Sequence, residues 1–349
     1  MAIQGMNQNN RNRDGELRVL PDYAFNDLAL FGLVQHDFTN HVHLQVGLRF
    51  DNRFLKVPTQ EKASHSHEEP LPGEAPEILE GFYRYYGNIS GSLGATFELG
   101  DGILLRGNLA SAFRAPSMAE LTQDGEHGIR YEIGNLNLKS QRNYEIDFSF
   151  HYHKDFILID LAGYANRIHD YIFLSQTADT TDEGMTIFKY LQNDAILYGF
   201  EGIFEVQPIS SLSFKIGYNL TRGRQSGNAN LPLIPQDKLR SEIKYRFHPI
   251  FRNAELVLKL GSDYAFSHKH PSEFESTTPS YFLMHSGIGI NLPVSDHVFH
   301  FSIQVRNIFN TAYQDHLSVL KELNYYNMGR NVVVSLSIPF HIYQKPFND

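Results

Sequence analysis

Imidazole and carboxylate groups gather in three stretches of this sequence. The segment "KASHSHEEPLPGEAPE" sets His65 and His67 two apart with Glu68 and Glu69 beside them, "TQDGEHGIRYEIGN" brings Asp124, Glu126 and His127 together, and "FSHKHPSEFES" supplies His268, His270 and Glu273. Imidazole with carboxylate is a borderline-soft donor set that favours zinc among the common divalent ions. Its plain rival is a solvated acidic loop, because two neighbouring donors do not make a four-coordinate site. Haem is a second rival, since it too is captured by axial His. The chain has no cysteine, which excludes thiolate metal sites, disulfides and a Cys nucleophile together. Catalytic signals are missing as well: there is no Gly-x-Ser-x-Gly elbow and no His-Glu-x-x-His helix, and the nearest candidates are "HDY" (169–171) and "DHLS" (315–318). No catalytic residue and no enzyme activity are expected.

The elements that must carry these groups are strands. Alternation with period two, the mark of a strand with unlike faces, runs through the chain. It sets Tyr144, Ile146, Phe148, Phe150 and Tyr152 against Asn143, Glu145, Asp147, Ser149, His151 and His153. The same pattern recurs around Val42 to Phe50, Leu212 to Leu220, Phe299 to Val305 and Val332 to Phe340. About thirteen such strands are counted, most of them near the ~10 residues that cross a tilted bilayer path. Short turns at 37–41, 98–102, 153–155, 207–211, 248–253 and 292–296 alternate with long polar stretches at 55–82, 114–141, 168–195, 223–237, 267–280 and 308–329. Outer-membrane barrels alternate short periplasmic turns with long extracellular loops in this way. A closed soluble barrel would have to bury the Glu, Asp, Lys and His of the second face in a dry core without partners. The pattern predicts an all-β antiparallel transmembrane barrel with a wet lumen. His43, His151, His153, His285 and His300 then line the lumen or the turns rather than binding ligand. No run of about 18 apolar residues is present, so no transmembrane helix is expected. A net charge of −9 argues against a nucleic-acid surface.

Several strand ends carry motifs in a fixed order. "SAFRAPSMAEL" (111–121) is followed by "YEIGNLNLKSQRNYEIDFSF", then "YGFEGIFEVQP", "LPLIPQDKL", and finally "VRNIFNTAYQDHLSVL" with "GRNVVVSLSIPF". Over nearly its whole length the chain resembles the C-terminal part of a TonB-dependent outer-membrane receptor. The matching elements are Phe-Arg-Ala-Pro, Gly-Asn-x-x-Leu, Tyr-Gly-x-Glu, Ile-Pro-x-x-x-Leu and a terminal Asn-x-Phe-Asn-x-x-Tyr with Gly-Arg-Asn. Their residues Arg114, Pro116, Gly134, Asn135, Asn307, Tyr313, Gly329 and Arg330 read as structural landmarks. Pro116 cannot donate to a ladder and so ends the pairing, while Arg114 can meet carboxylates at the rim.

The resemblance implies a barrel of about 22 strands, of which residues 1–349 would be the C-terminal portion. Signal peptide, TonB box and plug domain are not recognised in the sequence, and residues 3–10 look like the end of a strand running into a loop. On this expectation the chain is a fragment. Phe340 is expected at the terminal strand end, with "HIYQKPFND" continuing beyond it. The resemblance further implies residence in the outer membrane of a Gram-negative bacterium, partnership with lipid and the TonB complex, and energised uptake of a scarce ligand. "DGEHG" followed by "YEIGN" is similar to the zinc receptors of the family. Cargo is therefore expected to be zinc or a related divalent metal held by His65, His67, Asp124, Glu126, His127, His268 and His270. Haem or an iron siderophore is the alternative cargo, and a passive porin the alternative function. No resident cofactor is expected.

Overall fold

The computed structural model describes residues 1–12, 20–62, 77–247, 253–294 and 297–340. Among them are eighteen strands: β1 (Ala2–Asn10), β2 (Tyr23–Thr39), β3 (Val42–Val57), β4 (Gln60–Glu61), β5 (Ile78–Leu79), β6 (Phe82–Gly100), β7 (Ile103–Arg114), β8 (Asp124–His127), β9 (Arg130–Ile133), β10 (Gln141–Lys154), β11 (Ile157–Thr180), β12 (Thr186–Ile209), β13 (Leu212–Gln225), β14 (Lys238–Phe247), β15 (Glu255–Ala265), β16 (Tyr281–Val294), β17 (His297–Arg306) and β18 (Asn331–Ser337). A five-residue helix α1 (Met118–Thr122) and a 3-10 turn (Val319–Lys321) complete the elements. Sixteen strands form one sheet, fourteen of them along a continuous path in the order β1-β2-β3-β6-β7-β10-β11-β12-β13-β14-β15-β16-β17-β18, with β9 joined to β12 and β8 to β9 off that path. Every neighbouring pair along it is antiparallel, as direct up-and-down connections require. The sheet is open, with β1 and β18 at its two edges.

Register explains the two faces. Leu30 pairs with Phe50 and Phe50 with Ile89, and all three side chains are outward and exposed. Leu109 pairs with Ile146 on the same face, and Ile303 stands between Ile288 and Val334. An exposed apolar band this continuous is unstable in water and suited to hydrocarbon. The opposite face is polar and internally paired. Arg53 donates to Asp27 at 2.6 and 2.7 Å, Asn108 to Asp147 at 3.0 Å, and Asn166 to Glu145 at 2.9 Å. His285 lies 3.3 Å from Asp263, and His151 beside Asp160, as lumen residues. No helix among the described residues is long and apolar enough to cross a membrane.

The apolar core lies at the long-loop end. Tyr23, Leu55, Val57, Leu79, Tyr86, Met118, Leu121, Leu138 and Ile172 form one cluster beneath α1, and Phe173, Ala195, Leu231 and Ile234 a second. A wet lumen offers nowhere else to bury such side chains, so loops that fold inward supply the core.

The fourteen strands along this path agree with the count of about thirteen expected. Three details differ from expectation. Residues 3–10 lie wholly within β1, paired to β2 along their length. The stretch 168–195 is mostly ladder instead of loop, because β11 and β12, each 24 residues long, continue past a register shift between Ile168 and Tyr171. At the far end, β18 stops at Ser337, three residues before Phe340, and the tail 341–349 lies outside the described residues.

Candidate functional site

The loop-bearing end is assembled from the landmark residues. β7 ends at Arg114, whose guanidinium donates to both carboxylate oxygens of Glu120 at 2.8 and 2.7 Å. Glu120 also accepts from the Ser117 backbone N–H at 2.7 Å, and the Ser117 hydroxyl accepts from the Glu120 N–H at 3.3 Å. This capping box starts α1 immediately after Pro116 has ended the ladder. Gly134 then passes so close to the helix end that a Cβ there would meet the backbone nitrogen of Thr122 at 2.7 Å. Asn135 donates its N–H to the Glu120 carbonyl at 2.8 Å, fixing the loop on α1. At the last loop, Asn307 is buried with φ +50° and exchanges two hydrogen bonds with Thr311. Tyr313 packs on Tyr281 at 4.6 Å, and Arg330 donates to Ile308 O while its own N–H meets Asn310. At Gly329 a Cβ would stand 2.6 Å from the Asn310 side chain.

The candidate ligands occupy different places. His65 and His67 lie outside the described residues, but the base of their loop is visible. There Lys62 meets Glu77 and reaches Asp124 Oδ2 at 3.3 Å, so the loop closes against β8. Asp124 is further engaged by the Tyr131 hydroxyl at 3.0 Å. Burial, reinforced by Asp124, pushes the Tyr131 phenol up to about 12. His127 is largely exposed and stands 3.1 Å from Glu132. Glu132 is buried and also accepts from Arg130 at 2.7 Å and the Tyr190 hydroxyl at 3.2 Å. Glu126 sits beside them, half-buried, across from Tyr131 in the β8–β9 hairpin. Ion pairing thus already employs Asp124 and Glu132. Among the described residues no group of three or more His, Asp or Glu side chains stands in ligand geometry.

The third stretch divides. His270 and Glu273 are exposed, whereas His268 is buried against a residue the sequence patterns did not connect to it, His316. The two rings are 3.9 Å apart. Thr278 Oγ1 lies 2.8 Å from His316 Nδ1, Gln236 accepts from the His316 N–H at 3.2 Å, and Lys321 Nζ stands 3.3 Å from Nδ1. Burial holds both imidazoles below the ordinary histidine range, His316 at about 4. In sequence, His316 belongs to the terminal-hairpin motif and is 48 positions from His268, so only tertiary structure could pair them. Below the loops, the concave polar face bounds a cavity of about 1200 Å³ lined in part by Lys215, Arg240, Lys259, Asp263, His285 and Arg306.

Comparison with known proteins agrees with this architecture. Among solved structures, the copper transporter OprC superposes with a TM-score of 0.75 at 18% identity, over 90% of this chain and 48% of its own. The ferric yersiniabactin uptake receptor FyuA from Yersinia pestis gives 0.64 at 14% identity, over 97% and 54%. The Serratia marcescens hemophore receptor HasR, solved with its hemophore HasA and heme, gives 0.63 at 16% identity, over 90% and 51%. At such identities the likeness is one of fold, and the chain spans about half the length of these proteins. The TonB dependent receptor-like beta-barrel family matches residues 4–310, and with its strand order, polar lumen and outer-end landmarks the chain belongs to that family of Gram-negative outer-membrane receptors.

Proposed function

We propose that the protein is the barrel portion of a receptor that imports a scarce ligand across the outer membrane, energised through TonB, and that its cargo is a divalent transition metal such as zinc. The observation that carries the metal reading is the concentration of imidazole and carboxylate at the loop-bearing end, where Asp124 and His127 lie on β8 and His268 and His316 follow β15 and β17. Such donors select zinc or copper over magnesium and calcium, which prefer all-oxygen shells. His65 and His67 follow in sequence on Lys62, whose side chain reaches Asp124 of β8. TonB is the partner and lipid the surrounding medium in this reading, and no chemical turnover is required.

A second reading has its own observation. The cavity on the polar face is far larger than a hydrated ion, and alongside Asp160, Glu201, Glu242 and Asp263 its lining carries Lys215, Arg240, Lys259 and Arg306, cations that could meet the anionic groups of an iron chelate or haem. Calorimetry on the purified protein with zinc, magnesium, haem and a ferric siderophore separates the two. Zinc is expected to bind at least tenfold more tightly than magnesium, and the His65→Ala/His67→Ala variant to weaken it. Binding of haem or the siderophore with indifference to zinc sinks the metal reading in favour of the chelate.

A further inference from the structure

The outward face of the wall gathers arginines at one height and in one place. Cross-strand register sets Tyr144 of β10 beside Arg167 of β11, Arg167 beside Ile196 of β12, and Ile196 beside Arg224 of β13. One step toward the loops, Arg142 pairs with His169, whose ring meets Tyr144 edge-on at 6.0 Å. Each strand reaches this row from an outward apolar run, in which Ile146, Leu161, Phe200 and Ile216 are exposed. Arg167 stands ten residues along β11 from Ile157, and Arg224 twelve along β13 from Leu212. A tilted crossing takes ~10 residues. The short turns lie at the other end of these strands, so the arginines stand where the wall leaves the outer leaflet.

Their charges lack protein partners. Arg167 and Arg224 are exposed, and among the described residues neither they nor Arg142 holds an ion pair. The acids close by are engaged elsewhere. Asp194, whose field reaches Arg167, meets His169 at 3.0 Å and accepts from the Asp170 N–H at 3.1 Å. Asp237 accepts from Arg222 at 2.6 and 2.7 Å. With only Ile196 between them, Arg167 and Arg224 are two strand spacings apart, ~10 Å. Merely solvated arginines would be spread round the rim, but the outward residues at the same end of β14, β15 and β16 are Leu239, Tyr264 and Phe282. Like charges confined to neighbouring strands repel one another unless an anion stands among them. A guanidinium takes phosphate oxygens bidentately, and its stem lies on apolar surface while its head stays at the polar boundary.

We propose that Arg142, Arg167 and Arg224 form a binding site for the phosphorylated headgroup of an outer-leaflet lipid, whose acyl chains lie on the apolar strip of β10 to β13. Arg167 and Arg224 bridge the phosphate above Ile196, and Arg142 approaches from the loop side. The site faces lipid rather than the lumen, so it stands whatever the cargo is.

Electron paramagnetic resonance of the purified protein in phosphatidylcholine bilayers, with spin-labelled phosphatidic acid or spin-labelled phosphatidylcholine as probe, tests the site. The parent is expected to hold phosphatidic acid in its motionally restricted shell with a preference of roughly twofold or more. Arg142→Gln/Arg167→Gln/Arg224→Gln should bring that ratio close to one, and Arg167→Lys/Arg224→Lys should keep most of it. Arg106 and Lys244 stand on the lumen face, in register with Ser149 and Lys259, so Arg106→Gln/Lys244→Gln should leave the ratio at the parent's value. A parent without preference overturns the site, as does a rim variant that keeps the parent's ratio or a lumen variant that loses as much. Where the triple variant does not fold, Arg167→Gln and Arg224→Gln are read singly: each should lower the ratio, and unchanged ratios overturn the proposal.

Discussion

Tyr131 shows how much one side chain can tie together. Its hydroxyl donates to Asp124 Oδ1, Asp124 Oδ2 receives Lys62, and Lys62 closes the loop that carries His65 and His67. Burial and the neighbouring carboxylate favour the neutral phenol, raising its pKa to about 12 from the ordinary 10. An unfolded chain would ionise this tyrosine near 10, so its contribution to loop stability is complete below pH 10 and is lost as pH climbs toward 12. The difference in tyrosinate absorbance between the parent and Tyr131→Phe should therefore rise near pH 12. A difference step centred at pH 10 would show that the contact does not form. The neighbouring Asp124, Glu126 and His127 stood out as polar chemistry in the sequence, but the partners of Asp124 and His127, namely Lys62, Tyr131 and Glu132, did not. Glu132 reads as an ordinary strand residue until Arg130, Tyr190 and His127 are seen around it.

At the scale of elements, strict alternation made the membrane strands readable, since one face meets lipid and the other water. The continuation of β11 and β12 was hidden for a physical reason. Beyond the bilayer both faces meet water or loops, and the period-two contrast disappears although the ladder goes on. At ~3.3 Å per residue, 24 residues make a strand roughly 80 Å long, while a tilted crossing uses ~10 residues. Asp170, with φ +54° at the register shift, adds a turn-like signal in the middle of the strand. These two regimes should respond oppositely to charge. Phe148→Arg, on the lipid face of β10, is expected to destabilise the folded barrel by about 2–4 kcal/mol. An arginine in place of exposed Thr180, at the far end of β11 beyond the membrane, should change stability by no more than about 0.5 kcal/mol. Urea titration of the protein in lipid vesicles measures both, and equal costs would refute the assigned lipid face.

Over the whole molecule, stability is distributed toward the middle of the sheet. β11 and β12 are each paired on two sides over long registers, whereas β1 and β18 are each paired on one side among the described residues. Amide exchange should therefore be slowest in β11 and β12 and fastest in β1 and β18. Uniform protection across the sheet would mean that both edges find partners. The family was legible at this scale because its landmarks sit where strands stop or start, Arg114 and Pro116 at the end of β7 and Gly329 just before β18. The contact between His268 and His316 was not legible, because it forms only after loops 48 positions apart in sequence have packed.

The parallel pairing of β9 with β12, Arg130 to Ile133 against Thr186 to Lys189, has a mechanical consequence. It welds a surface hairpin to the tallest part of the wall, so the hairpin behaves as a bracket whose stiffness comes from the ladder behind it. Force applied to Asp124 or His127 from outside is carried sideways into β11 and β12 rather than taken up in the loop. A ligand gripped there would pull on the frame of the pore itself.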